Sequence, residues 1–276
     1  MNTTTAGTLA QTPKRALPLF AAILVLSAFS LSPPGETTQV NDWENPLIVS
    51  RNTEPAHATL VPYSTIEKAV VGDRFASEYL FLLNGKWKFH WVPNPAERPL
   101  DFYKTEYDAS GWKDIDVPGN WQFQGYDVHI FLDEEYPFPR NPPHIPPDHN
   151  PIGSYLTEFV APEFWKGRRV YPHFDGVESA FYVWVNGQMA GYSEDSRTPA
   201  EFDITGLVRP GRNILAAEVY QWSDGTYLEC QDYWRLSGIF RNVYLFSRLP
   251  DWRHRFGELL HELLCRSDGP GSPWPQ

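Results

Sequence analysis

The dipeptide Asn186-Gly187 constrains the fold of this chain more than any other feature, because it joins two short apolar runs. The run before it reads FYVWV and the run after it reads QMAGY. Asparagine and glycine adopt positive φ angles at low cost, and the two-residue turn of a hairpin requires such angles at both positions. The segment therefore predicts an antiparallel β-hairpin, with Trp184 or its neighbour Phe181 facing the core.

Similar strand signals recur along the chain. Trp87, Phe89 and Trp91 alternate with polar residues, which is the period of a strand with one buried face. An aromatic content of 15%, together with 26 prolines and 19 glycines, favours many short strands joined by turns. Further strand-like runs lie at 154–160, 170–174, 213–220 and 239–246. Eight or so short strands without a substantial helix indicate an all-β fold, specifically a β-sandwich.

Two segments lack a regular strand pattern. Residues 36–79 are polar and irregular, which predicts an extended arm that becomes ordered by laying its few large side chains on another surface. Residues 136–151 contain seven prolines and cannot donate a regular ladder of hydrogen bonds, so we expect a long ordered loop there.

Charge and cysteine content exclude several classes of protein. The formal net charge of −11 argues against a nucleic-acid-binding protein, because phosphate binding needs a basic surface. The only two cysteines, Cys230 and Cys265, exclude a disulfide-dense scaffold and a cysteine-based zinc site. We expect both as free thiols, with a disulfide after export as the alternative. The eight histidines show no H-E-x-x-H motif or similar ligand spacing.

The amino terminus has the pattern of a targeting segment. Lys14 and Arg15 precede an apolar run, 16–31, whose only polar residues are serines. A basic region before such a run is typical of a secretory signal, and the run is shorter than the ~20 apolar residues of a membrane span. We predict that 1–35 is a signal peptide and that the protein is exported, periplasmic or extracellular. An uncleaved signal anchor is the alternative.

Three longer segments match a known family. They are Asp116–Pro139 (DVPGNWQFQGYDVHIFLDEEYPFP), Gly176–Thr205 (GVESAFYVWVNGQMAGYSEDSRTPAEFDIT) and Trp222–Val243 (WSDGTYLECQDYWRLSGIFRNV). Together with the opening DWENP and the strand LNGKWKFHW, they resemble the amino-terminal part of the large bacterial β-galactosidases, which belong to glycoside hydrolase family 2. The resemblance covers roughly residues 42–249.

The resemblance implies an organisation for the chain. A jelly-roll sugar-binding domain over 80–249 follows the arm, and residues 250–276 form an unmatched tail. In the family, the arm contacts neighbouring subunits of a homo-oligomer and the sandwich packs against a catalytic barrel. Both catalytic glutamates lie on that barrel, beyond residue 276, so we expect the chain alone to be inactive. The full-length enzyme would use Na⁺ and Mg²⁺.

The segment around Asp232 combines acidic and aromatic residues. Glu229, Asp232 and Arg235 are interleaved with Tyr233 and Trp234. Carboxylates accept hydrogen bonds from sugar hydroxyls, whereas flat aromatic faces cover the apolar C–H side of a sugar. From the residues alone, a loop-stabilising Asp232–Arg235 ion pair with Trp234 in the core is the favoured interpretation, because acidic-aromatic loops are common. The family resemblance implies that Asp232 contacts galactose hydroxyls and helps to hold a monovalent cation, for which a carboxylate is a suitable hard ligand.

A second sugar contact departs from the family pattern. The family has an asparagine that contacts the sugar where this chain has Asp133. An aspartate accepts hydrogen bonds from hydroxyls but cannot donate as an amide does. Its charge would also lie near that of Asp232. Two further departures are Cys230, where the family usually has an aspartate, and the tail after Leu249.

Other acidic residues have a simpler interpretation. Glu134-Glu135 and Glu194-Asp195 are adjacent carboxylate pairs. Neighbouring side chains on a strand point to opposite faces, so neither pair can flank one glycosidic bond. We predict that both pairs are solvated charges.

Three functions remain open on the sequence alone. The first is the sugar-binding part of an exported β-galactosidase that hydrolyses terminal β-galactosides. The second is a free-standing, lectin-like carbohydrate-binding module. The third is a structural or assembly piece, because the arm, 36–79, resembles the segment that contacts neighbouring subunits in the family. A barrel-coding reading frame downstream of residue 276 would distinguish the first from the second.

Overall fold

A computed structural model describes residues 40–133, 135–229 and 231–251. These residues contain one short helix, α1 (Ile66–Val71), several 3-10 turns and fifteen strands. The strands are β1 (Ser50–Arg51), β2 (Leu80–Leu82), β3 (Gly85–Val92), β4 (Lys113–Val117), β5 (Ile130–Leu132), β6 (Ile152–Val160), β7 (Arg169–Phe174), β8 (Val177–Glu178), β9 (Ala180–Val185), β10 (Gln188–Ser193), β11 (Ala200–Glu201), β12 (Arg212–Tyr220), β13 (Tyr233–Arg235), β14 (Gly238–Ile239) and β15 (Val243–Arg248).

Several sequence predictions fall outside the described residues. These are the signal peptide, almost all of the predicted tail, Glu134 and both cysteines, Cys230 and Cys265. Within the described ranges, no helix is long and apolar enough to cross a membrane.

The strands form two main antiparallel sheets and two small ribbons. The larger sheet has the order β1-β10-β9-β12-β6-β3-β4, and the smaller has the order β11-β7-β15-β2. The ribbons pair β5 with β13 and β8 with β14. Side chains from both main sheets meet in one hydrophobic cluster, which is the core. This arrangement confirms the predicted all-β sandwich.

Alternation along the strands decides which side chains enter that core. In β3, Trp87 and Phe89 are 1% and 2% exposed, and Trp91 is half-buried at the edge of the core. In β12, alternate residues from Leu215 to Val219 belong to the same cluster. The face predicted for the aromatic strand is therefore the buried one, with its last tryptophan at the rim.

The predicted hairpin is present, but one of its two proposed core residues is not inward. Asn186 and Gly187 connect β9 to β10 with φ angles of 51° and 83°. Phe181 lies in the core. Trp184 lies on the other face of β9, because side chains alternate along a strand. There it stacks on Tyr103 outside the core, with ring centroids 4.8 Å apart. The prediction for Trp184 is wrong because a run of five apolar residues does not reveal which of its faces is covered.

The other predicted strands are recovered with small shifts of their bounds. The runs at 154–160, 170–174 and 213–220 correspond to β6, β7 and β12. The run 239–246 is not one strand, because it divides into β14 and β15. β14 pairs with β8, whereas β15 belongs to the smaller sheet, so the chain passes from a ribbon to a main sheet within this run.

The described part of the predicted arm lies on the sandwich through a few specific contacts. The ring of Trp43 stacks on Tyr220, with centroids 4.1 Å apart. The Arg51 guanidinium donates two hydrogen bonds of 2.7 Å to the Asp42 carboxylate. β1 then pairs with β10 at the edge of the larger sheet. These contacts fix the start of the segment, because its large side chains pack on the sandwich.

Candidate functional site

The β5–β13 ribbon brings together the two residues predicted to contact a sugar. Its register pairs Leu132 with Tyr233 and Phe131 with Trp234. Asp133 directly follows Leu132 and Asp232 directly precedes Tyr233, so both aspartates adjoin the same end of the ribbon, each in a bend just outside the paired residues, and both are exposed. Two residues 99 positions apart in the sequence are thus brought to one end of a two-stranded ribbon.

The ribbon has an outward and an inward face. Phe131 and Trp234 are paired across the ribbon and share its outward face. The exposure values agree, since Phe131 is 50% and Trp234 52% exposed, whereas Arg235, on the opposite face, is 2% exposed. We call this face, together with the adjoining and exposed Asp133 and Asp232, the outward ribbon face. It combines two carboxylates with two aromatic rings.

The inward face anchors the ribbon to the domain. Arg235 donates to the backbone carbonyl oxygens of Glu229 (3.0 Å) and Gln231 (2.8 Å), and its guanidinium lies over the ring of Tyr233. The alternative that placed Trp234 in the core is wrong, because that ring is half exposed. Arg235 holds the loop mainly through backbone oxygens. The contacts that fix the ribbon therefore lie on its inward face, and not on its outward face.

The loop before the ribbon is fixed at a second point. Glu229 accepts hydrogen bonds from the backbone N–H (3.0 Å) and the hydroxyl (2.7 Å) of Ser196. At the start of the loop, the Ser223 backbone N–H donates to the Thr226 hydroxyl (3.0 Å). The loop that presents Asp232 is therefore held at both ends by hydrogen bonds.

The proline-rich segment 136–151 supports the inward face of the ribbon. It contains no regular strand, as predicted. Phe138 packs against Trp222 with ring centroids 5.6 Å apart, and Ile130 of β5 packs on the same small cluster. The Tyr136 hydroxyl donates to the Tyr227 carbonyl (2.8 Å). The prolines thus form an ordered support on which the ribbon rests.

The sequence analysis missed a buried carboxyl pair. Glu194, predicted as solvated, is only 8% exposed and hydrogen-bonds Asp224, which is 7% exposed. The Tyr192 hydroxyl donates to the Glu194 carboxyl. Burial raises the pKa of Glu194 to about 9 and also raises the pKa of Asp224. The prediction of solvated charges is wrong for Glu194, whereas Asp195 and Glu135 are exposed.

This buried pair does not have the geometry of a glycosidase. A retaining enzyme holds its two carboxyl groups about 5–5.5 Å apart so that they flank one bond, and an inverting enzyme holds them farther apart. Glu194 and Asp224 are in direct hydrogen-bond contact, and two carboxyl groups that close share a proton. No signal in the local sequence could reveal the pair, because Glu194 directly follows β10 and Asp224 begins a 3-10 turn 30 residues later.

The described residues also bear on metal binding. Across 40–133, 135–229 and 231–251, no group of three or more His, Cys, Asp or Glu side chains is arranged to hold a metal ion. Asp232 and Asp133 by themselves supply two carboxylates on one exposed surface. Such a pair can share in binding a cation only if further ligands join it.

A family model describes most of the sandwich. The model named "Glycosyl hydrolases family 2, sugar binding domain" matches residues 80–250. Among curated proteins, the chain is 49% identical over 211 residues to a β-galactosidase of Priestia megaterium, covering 75% of this chain and 20% of that protein. It is 46% identical over 213 residues to a β-galactosidase of Psychromonas ingrahamii, covering 77% of this chain and 20% of that protein.

The chain also resembles solved structures at lower sequence identity. A β-glucuronidase of Bifidobacterium dentium aligns with a TM-score of 0.46 and 18% identity over 62% of this chain and 30% of that one. The chain spans about one fifth of the length of the curated relatives named above.

Proposed function

The chain belongs to glycosyl hydrolase family 2 through its sugar-binding domain, and we propose that this domain binds the terminal galactose of β-galactosides for a β-galactosidase. Two relatives that are 49% and 46% identical bear that name. The observation that supports the proposal most is the outward ribbon face, where Asp133 and Asp232 adjoin the same end of the ribbon and are both exposed.

The two carboxylates have different parts in this proposal. Ionised carboxylates accept hydrogen bonds and donate none, so both would bind galactose through its hydroxyl hydrogens. Asp232 lies in an unbroken match to the family, and we assign it the principal contact. Asp133 replaces an amide of the family pattern and cannot donate a hydrogen bond as that amide does, so we assign Asp133 the weaker contact. Its negative charge also adjoins the same end of the ribbon as that of Asp232, and the two charges repel each other.

A cation would relieve this repulsion. We assign a Na⁺ in the full-length enzyme to Asp232, because an exposed carboxylate beside a second carboxylate supplies the hard oxygen donors that such an ion prefers. The two side chains cannot complete a coordination sphere, so the remaining ligands would come from the barrel. We assign Mg²⁺ to the full-length enzyme without naming a residue for it.

Catalysis is assigned to a barrel beyond residue 276. Glycoside hydrolysis by double displacement needs an acid/base and a nucleophile on opposite sides of one bond. Among the residues in the described ranges, the buried Glu194–Asp224 pair is hydrogen-bonded, so its two carboxyl groups do not flank a space for a glycosidic bond. We therefore propose that the chain by itself binds galactosides and hydrolyses none.

We infer partners and location from the amino-terminal part of the chain. We propose that the arm, 36–79, contacts a neighbouring subunit of a homo-oligomer. Its helix α1 supports this, because Ile66, Val70 and Val71 are 78–81% exposed. We also propose export of the protein, for which the basic pair before the apolar run 16–31 is the support.

A free-standing carbohydrate-binding module is the second candidate. It is favoured by one observation, namely that the described residues of the sandwich form one continuous hydrophobic core. In this case the outward ribbon face would be the whole binding site. No chemistry would follow binding.

Transferring residues 80–250 of this chain into a full-length relative tests the proposed roles of the two aspartates. In the Priestia megaterium enzyme carrying 80–250 of this chain, Asp232→Ala should lower kcat/KM by about 10- to 100-fold, the cost of a hydrogen bond to a charged group. Asp133→Asn should leave kcat/KM unchanged or raise it, because the amide both donates and accepts. Steady-state kinetics on lactose measures both effects.

Asp148→Ala is the matched control for that experiment. Asp148 is an exposed aspartate in the proline-rich segment, away from the outward ribbon face. It should leave kcat/KM unchanged. A loss with Asp133→Asn and none with Asp232→Ala would contradict the proposed roles.

A further inference from the structure

We propose that a proton-dependent cluster of two histidines and two carboxylates attaches the arm to the smaller sheet, so that the arm is held firmly at mildly acidic pH and loosens as the pH rises. The four residues are His57 of the arm, Glu201 of β11, His173 of β7 and Asp175, which directly follows β7. We call them the histidine–carboxylate cluster. This attachment is independent of the proposed sugar site.

The four side chains form a continuous row of hydrogen bonds. The two ring nitrogens of His173 lie 2.7 Å from Glu201 Oε1 and 2.8 Å from Asp175 Oδ1. The other oxygen of Glu201, Oε2, lies 3.0 Å from Nε2 of His57. Nδ1 of His57 lies 2.8 Å from the backbone carbonyl oxygen of Ala58. Every ring nitrogen of the two histidines therefore faces an oxygen.

These contacts decide the charge state in which the cluster is complete. A carbonyl or ionised carboxylate oxygen only accepts hydrogen bonds, whereas a neutral imidazole has a single N–H and a lone pair on its other nitrogen. Each histidine can donate from both nitrogens only in its doubly protonated, cationic form. Loss of that proton removes one hydrogen bond and leaves a lone pair against an oxygen.

The surroundings of His173 favour the cation. Its side chain is 3% exposed, and that of Glu201 is 10% exposed. Burial acts against charge on both groups and on Asp175, but the hydrogen bonds between them outweigh burial. The pKa of His173 is therefore raised, and the pKa values of Glu201 and Asp175 are lowered.

The other groups packed around His173 keep their charge when the pH rises. The ring of Tyr244 stacks on the imidazole, with centroids 4.4 Å apart, and burial raises the pKa of this tyrosine. The guanidinium of Arg74 lies over the other side chain of this stack, Tyr244, and donates to its hydroxyl. Arginine remains charged at any pH that a folded protein tolerates. The histidines are thus the groups through which pH acts on the cluster.

The cluster lies where the arm meets the smaller sheet. Thr53 pairs with Phe202, and the Glu54 backbone N–H donates to the Glu201 carbonyl (2.8 Å). Because the Glu201 side chain binds His57, one residue of β11 holds the arm through both its backbone and its carboxylate. The ion pair of Glu54 with Arg248 (2.6 Å) does not need these protons, so we expect a looser arm and not a released one.

The pH range follows from the directions of the pKa shifts. Stability from the raised pKa of His173 is complete below the ordinary value of 6.5 and is lost as the pH rises through the raised value. Stability from Asp175 and Glu201 is complete above their ordinary values of 3.8 and 4.5. The cluster is therefore complete at about pH 5.5 and incomplete at about pH 9.

Amide hydrogen exchange of the full chain at these two pH values tests the cluster. Protection of the Glu54 N–H, corrected for the intrinsic exchange rate, reports on the arm, and protection of the Ala217 N–H in β12 reports on unfolding of the sandwich. Relative to Ala217, protection at Glu54 should fall by about 10-fold from pH 5.5 to pH 9, the net value of one hydrogen bond. In a proton NMR titration, the imidazole of His173 should show a pKa above 6.5.

Three histidine variants separate the cluster from a general effect of pH. His173→Gln should remove most of the 10-fold change, because glutamine presents a donor group at either pH and binds no proton. His57→Gln changes only the arm's side of the cluster and should reduce the change in part, which keeps the test valid should His173→Gln fold poorly. His149→Gln, on an exposed histidine of the proline-rich segment, is the matched control and should keep the full change.

Equal relative protection of Glu54 at the two pH values in the parent chain would overturn the proposal. A full 10-fold change in His173→Gln or in His57→Gln would also overturn it, because another group would then govern the arm. The same conclusion would follow from a measured pKa of His173 at or below 6.5.

Discussion

Trp87→Ala is expected to lower the free energy of unfolding by about 3–5 kcal/mol, a large share of the stability of a domain. Trp87 is 1% exposed at the centre of β3, and its indole N–H donates to the Leu83 carbonyl (2.8 Å). Its ring meets that of Tyr155 edge-on, with centroids 6.4 Å apart. Removing the side chain leaves a cavity between the two main sheets and an unpaired buried carbonyl.

Denaturant unfolding followed by fluorescence measures this loss, with Trp234→Ala as the matched tryptophan control. Trp234 is 52% exposed, so its removal should cost about 1 kcal/mol or less. Equal losses for the two variants would show that the inward face of β3 is misassigned.

Glu194→Gln is expected to stabilise the protein at alkaline pH. The folded pKa of Glu194 is about 9 because of burial, against a usual value of 4.5, so the folded protein holds a proton that the unfolded chain releases at neutral pH. The stability due to this proton is complete below pH 4.5 and is lost as the pH rises towards 9. Glutamine keeps the shape and needs no proton, which should raise the free energy of unfolding at pH 8 by a few kcal/mol, since one pKa unit is about 1.4 kcal/mol.

The measurement is the free energy of unfolding of Glu194→Gln relative to the parent at pH 5 and at pH 8. The gain should be small at pH 5 and large at pH 8. Comparison at each pH removes the shared contribution of Glu178 and His173, whose pKa values are also raised. Glu163→Gln, on an exposed glutamate, is the control and should show no gain at either pH. A pH-independent difference for Glu194→Gln would contradict the protonated pair.

Local sequence was sufficient where structure depends on neighbouring residues. The turn at Asn186-Gly187 follows from the φ angles that these two residues tolerate, and the buried face of β3 follows from strict alternation. Trp184 was assigned to the wrong face because FYVWV has no polar residue to mark the outside. A strand apolar on both faces is oriented by what covers it, and here Tyr103, about 80 residues earlier, covers the tryptophan.

Long-range pairing explains the rest of what the sequence could not show. The family motifs singled out Asp133 and Asp232, but only the pairing of β5 with β13 brings them to the same end of one ribbon, near Phe131 and Trp234. The burial of Glu194 depends in the same way on Asp224, which the loop before β13 brings against it. Neither of these two arrangements can be recognised from residues that are close together in the sequence.

The most direct test of the account is a map of where a β-galactoside binds. Methyl β-galactoside is titrated into ¹⁵N-labelled chain, and amide chemical shifts are followed residue by residue. Binding should be weak, with a Kd in the millimolar range (about −4 kcal/mol), because an exposed site makes few water-excluded contacts. The shifts should centre on Asp133 and Asp232 and disappear in Asp232→Ala. Shifts centred elsewhere on the sandwich, or unchanged in that variant, would contradict the assignment of the outward ribbon face as the sugar site.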